Sequence, residues 1–164
     1  MDDNKKFHTV RGYQILDQNK KLLTSGMEDY LEMIYRNSLI DGYMRINTLS
    51  ELLNVQASST TKMVQKLTVL GLLDYKKYGI IFLTKNGKEI GKYLLERHYI
   101  IENFLKFIGV GESVLQETEL IEHYITESTL RKIELINNFF NNNPEYHKKF
   151  EQYKKNATKK AIIA

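Results

Sequence analysis

A chain of 164 residues, 42% hydrophobic and 11% aromatic, is long enough for one domain or two small ones and too apolar to be disordered throughout. It has no cysteine, which excludes a disulfide framework and any thiolate metal site, and its formal charge of +4 suits a polyanionic partner without requiring one. No run approaches the ~18 apolar residues of a membrane span, and the opening MDDNKKFHTV lacks the apolar stretch of a signal peptide, so a soluble, cytoplasmic protein is expected.

Residues 1–24 are polar and basic and read as an N-terminal arm, with a short apolar patch at Tyr13, Ile15 and Leu16. From SGMEDYLEMIYR the period is helical. Ser25 and Glu28 form a capping-box pattern, and Met27, Tyr30, Leu31, Ile34 and Tyr35 make an apolar stripe. Gly42 interrupts it. Asn47 can cap a short helix carrying Leu49, Leu52 and Leu53, and after the turn NVQAS a further helix has Thr60, Val64, Leu67 and Met63 on its inner side and closes at Gly71. LLDYKKYGIIFLT then changes to extended, β-favouring runs about Tyr78-Gly79, a hairpin. Helix, turn, helix and hairpin in that order predict a winged helix-turn-helix, a module that reads DNA.

Thr84 can cap a long helix whose apolar stripe is Ile90, Leu94, His98, Ile101, Leu105 and Ile108. GVG at 109–111 separates it from a helix bearing TELIEHY, a further helix runs from about Thr129 to Phe140, and Asn143-Pro144 opens a last, lysine-rich helix. The fold class is therefore mainly α. A winged helix-turn-helix over residues 25–92 is followed by an all-helical domain over 93–164.

Two surfaces carry chemistry. On the second helix of the DNA-reading module, Gln56, Ser58, Ser59, Thr61, Lys62 and Lys66 offer hydroxyls, an amide and ammonium groups to phosphates or base edges, with Lys76 and Lys77 on the wing. Such residues also populate any solvated face, and it is their place between a tight turn and a hairpin that favours DNA. The second set is acidic and imidazole. Asp29 and Glu32 share one side of the first long helix, Glu119, Glu122 and His123 lie at i, i+3 and i+4, and His98 sits within an apolar stripe. Singly these are ordinary polar positions; together, four carboxylates and two imidazoles have the composition of a site for one or two hard divalent ions.

SGMEDYLEMIY, SSTTKMVQKL, YGIIFLTKNGKEIGKYLLERH and TELIEHY resemble, in order and spacing over residues 25–142, the diphtheria toxin repressor family of metal-dependent regulators, most closely its manganese transport regulator branch. The resemblance implies a homodimeric repressor of metal-uptake genes that binds operator DNA when two Mn(II) ions per subunit bridge the DNA-binding and dimerisation domains. It carries the ligand role onto Asp29, Glu32, His98, Glu119, Glu122 and His123. The iron-responsive branch typically has methionine at the position of Asp29 and cysteine at that of Glu119, so the manganese branch is expected, without its relative's C-terminal SH3-like domain; Fe(II) remains a competitor. The arm is longer than is usual in that branch. A carboxylate-bridged di-metal enzyme is the alternative from another class, but such bundles use paired Glu-x-x-His elements and this chain has none, so no catalytic residue is assigned.

Overall fold

The computed structural model describes residues 12–15, 17 and 22–163, with residues 158–163 as backbone; most of the arm expected over 1–24 lies outside the described residues. The chain divides into two compact units between Arg97 and His98. In the first, α1 (Ser25–Asp41) is followed by the strand β1 (Met44–Arg45), α2 (Ile46–Leu52), α3 (Ala57–Val69), β2 (Leu73–Lys76) and β3 (Ile80–Leu83). The helix α4 (Lys85–Ile108) begins in this unit and ends in the second, which continues with α5 (Val114–Glu122), α6 (Glu127–Asn142) and α7 (Pro144–Ile163).

The helical stripes become the core of the first unit. Leu31 and Ile34 of α1, Leu49 of α2, Val64 and Leu67 of α3, Ile81 of β3, and Ile90 and Leu94 of α4 are all fully buried. Thr60 is buried with them because its hydroxyl meets that of Ser50 at 3.0 Å, which locks α2 against α3. Burial makes the Tyr35 phenol harder to ionise, and the negative charges of Glu96 and Glu89 raise its pKa further. Its ring lies where Gly91 leaves room: a Cβ on Gly91 would come within 2.6 Å of that of Tyr35.

The sheet is antiparallel with order β1-β3-β2. The hairpin was expected, whereas β1 was not, because two residues are too few to show a period; Met44 and Arg45 pair with Ile81 and Ile80. Thr84 acts as anticipated. Its hydroxyl accepts from the Gly87 N–H at 3.1 Å, while the same group lies 2.8 Å and 3.1 Å from the carbonyls of Gly71 and Leu72. The start of α4 is thereby tied to the root of the wing.

Two expected caps are corrected. The N-cap of α1 is Thr24, whose hydroxyl accepts from Met27 N–H, so Ser25 is already helical, and Glu28 pairs with Arg97. Asn47 does not cap α2, which starts at Ile46 behind Arg45. In each case a neighbouring residue already held the extended conformation that a cap requires.

In the second unit, Ile101, Leu105 and Leu130 are buried, and the Asn137 amide donates to the carbonyl of Ile100 at 2.8 Å, joining α6 to α4. Phe107, Phe140, His147 and Phe150 stack as a chain of rings that brings in α7. Pro144 opens that helix as its first residue, a position where no N–H is needed.

Candidate metal centre and nucleic-acid interface

The turn after α2 is made by Asn54, which takes a left-handed φ of 51°, and Gln56 is the N-cap of α3. This places Gln56, Ser58, Ser59, Lys62 and Lys66 on the exposed side of the helix-turn-helix, as the sequence predicts. Thr61 is different. It is half-buried and its hydroxyl donates to the Ala57 carbonyl at 2.8 Å, which leaves it as an acceptor toward a ligand. On the wing, Lys76 and Lys77 are exposed, and Lys76 also pairs with Asp74 at 2.7 Å, an exposed contact of little energetic weight.

Asp29 and Glu32 lie on α1 with unequal surroundings. Asp29 is exposed, whereas Glu32 is buried and accepts from the Arg36 guanidinium at 2.6 Å. One turn earlier, Glu28 accepts from the buried Arg97 at 2.9 Å, a pair between residues 69 apart that joins α1 to α4. Sequence reasoning missed Arg97. Its only local signal is that it precedes His98.

In the second unit, His98 and Glu122 are brought together, with Nδ1 of the ring 2.9 Å from Oε2 of the carboxylate. Both are almost fully buried, 5% and 3% exposed, which is costly for a carboxylate unless a cation or strong donors attend it. His123 follows directly as the C-cap of α5 with near-helical dihedrals, so the expected i, i+3, i+4 relation persists past the end of the helix. Its Nε2 is 3.9 Å from Oε1 of Glu122, beyond a hydrogen bond. Glu119, a turn earlier on α5, is exposed. The donors in both units are carboxylate oxygens and imidazole nitrogens alone, a set that fits a hard or borderline divalent ion such as Mn(II) or Fe(II).

No helix among the described residues is long and apolar enough to cross a membrane. The family model for the iron dependent repressor N-terminal DNA binding domain matches residues 22–81, and that for the iron dependent repressor metal binding and dimerisation domain matches residues 84–151. The HTH-type transcriptional regulator MntR of Oceanobacillus iheyensis is 43% identical over 118 residues, covering 71% of this chain and 80% of that protein. The regulator of the same name from Lysinibacillus sphaericus is 40% identical over 132 residues, 80% of this chain and 95% of that one. Among solved structures, the metal-dependent transcriptional regulator MtsR superposes with a TM-score of 0.64 at 26% identity, covering 71% of this chain and 55% of that chain. These are transcriptional regulators and not enzymes. With both domain models matched in sequence order and relatives at this level of identity, the chain belongs to the diphtheria toxin repressor family of metal-dependent transcriptional regulators, in its manganese transport regulator branch.

Proposed function

We propose that the protein is a cytoplasmic, manganese-activated repressor of metal-uptake genes that works as a homodimer on operator DNA. The observation that carries this reading is the donor set: every candidate ligand is an oxygen or an imidazole nitrogen, and the pair at its heart, His98 and Glu122, is buried. Asp29 and Glu32 would contribute from the DNA-binding domain (25–92), and His98, Glu119, Glu122 and His123 from the metal-binding and dimerisation domain (93–164), with the arm (1–24) outside both. Bound Mn(II), in two ions per subunit, supplies the positive charge that offsets repulsion among the four carboxylates. Side chains that share ions in this way restrict the freedom between the domains, so less ordering remains when two recognition helices engage DNA about one helical turn, ~34 Å, apart. By linkage, operator DNA must tighten metal binding by the same factor.

Fe(II) activation is the second reading, favoured by the same nitrogen and oxygen donors. Both are tested on one duplex, selected by the wild-type protein from a random-sequence pool. Protein stripped with chelator is titrated separately with Mn(II), Fe(II), Zn(II) and Co(II), while sedimentation follows its assembly state. Activation by Mn(II) at the lowest free concentration relative to Fe(II), in a dimer, is the expected result. Equal response to Mn(II)-free and Mn(II)-loaded protein removes metal control, and a monomer at micromolar concentration removes the dimer.

Lys62, exposed on α3, gives a separate expectation. Lys62→Ala should weaken binding to that duplex, reduce the salt slope by about one, and leave Mn(II) affinity of the free protein unchanged, because it removes one phosphate contact and no metal ligand. An unchanged DNA isotherm would take α3 out of the interface.

A further inference from the structure

The tip of the wing holds a side chain that the fold does not use. Between β2 and β3, Lys76 pairs with Ile80, so the connection is the three-residue loop 77–79. Two successive residues there are left-handed: Tyr78 at φ 65°, ψ 21°, and Gly79 at φ 75°. Gly79 has a local reason for its identity, since a Cβ would stand 2.7 Å from Cγ2 of Ile46, and the close approach seats the loop on the start of α2. Tyr78 has none. A left-handed position favours Gly, Asn or Asp, and a bulky aromatic residue there is a steric outlier.

Strain of this kind is ordinarily offset by burial of the ring, yet Tyr78 is 93% exposed and so gains almost no packing from the fold. The loop therefore carries a large amphipathic side chain outward, in an unfavourable backbone conformation, on a base pinned against α2. Its neighbours are Lys76 and Lys77, both exposed. A ring flanked by ammonium groups matches the surface of a nucleic acid, where the lysines meet phosphates and the ring lies on the apolar faces of sugars or bases.

We infer that Tyr78 is a DNA-contacting residue of the wing, its ring packing against the sugar and base wall of the groove beside the one that α3 enters. The inference rests on the DNA-binding reading of the winged domain. It explains why a residue that costs the loop stability stands where Asn would fit better. Because the tip loop is seated against Ile46 at Gly79, the backbone that carries the ring is in place before binding and little backbone freedom is lost on contact.

The test uses full-length, Mn(II)-loaded protein on the selected duplex, with Tyr78→Asn, Tyr78→Phe and Lys62→Ala compared with wild type. Asn accepts the left-handed conformation, so Tyr78→Asn should melt no lower than wild type and yet bind DNA about tenfold more weakly. The salt slope should stay at the wild-type value, since no charge is removed, in contrast to the fall for Lys62→Ala. Tyr78→Phe should bind within about threefold of wild type because the ring makes the contact. Binding by Tyr78→Asn within about twofold of wild type overturns the assignment, as does a lowered melting temperature that accompanies the loss, which would mark Tyr78 as structural. Weakening by Lys62→Ala with none by Tyr78→Asn refutes the wing contact alone, no weakening by either takes both α3 and Tyr78 out of the interface, and failure of the wild type to select any duplex refutes the DNA-binding reading beneath it.

Discussion

Glu122→Gln is expected to abolish most of the gain in DNA affinity that Mn(II) provides while leaving the fold intact. The carboxylate is 3% exposed and lies 2.9 Å from Nδ1 of His98. Glutamine has the same shape, and its carbonyl can still accept from that ring nitrogen when it carries the proton, so the buried contact survives the change. What is lost is an anionic ligand. A neutral amide is the poorer donor for a hard cation, and loss of affinity for Mn(II) on the order of 100-fold is the expected scale. Binding without metal should match wild type. The chelated mutant should also melt no lower, because one negative charge has been taken from a buried, acidic neighbourhood. Operator titrations of both proteins, with chelator and with excess Mn(II), read the first effect, and melting curves of the same samples read the second. A mutant that still gains the wild-type increment from Mn(II) would exclude Glu122 as a ligand; one whose chelated form unfolds would show that the carboxylate serves the fold.

The largest effect on stability is expected from Gly87→Ala, in the first turn of α4. A Cβ there would stand 2.0 Å from the carbonyl oxygen of Leu72 and 3.2 Å from Cδ2 of Leu83. The oxygen cannot easily retreat, since it also accepts from the Thr84 N–H at 3.1 Å. Either the cap of α4 or the root of the wing must move, and overpacking of backbone against backbone should cost about 3 kcal/mol or more. Gly71→Ala provides the contrast. Nothing lies within 4 Å of its added carbon, and only the left-handed φ of 71° is penalised, at about 1 kcal/mol. Urea denaturation of the two variants should therefore separate crowding from backbone preference. Equal midpoints would mean that the contact between α4 and the wing root yields easily.

What sequence alone determined here is local. Apolar stripes at three- and four-residue intervals located α1, α3 and α4, because a helix repeats within a window that the chain itself displays. The β-favouring runs on either side of Tyr78-Gly79 likewise announced a hairpin, and the structure then buried Ile81 and Leu83 and exposed Phe82. The i, i+3, i+4 spacing of Glu119, Glu122 and His123 also followed from helical pitch, whereas their burial did not: Glu122 is buried, His123 half-buried and Glu119 exposed. The tertiary structure decided whatever depends on partners far away in the chain. Glu28 looked like a capping residue until Arg97, 69 residues on, was found against it. His98 was a polar residue in an apolar stripe until Glu122, 24 residues on, came to face it. β1 exists only because β3 offers it an edge, and Gly87 is required only because the Leu72 carbonyl passes beside it. Periodicity reports which face of an element is apolar; it carries no information about which other face will meet it, and that pairing is settled by packing, where volumes, buried donors and buried charges must all be satisfied together.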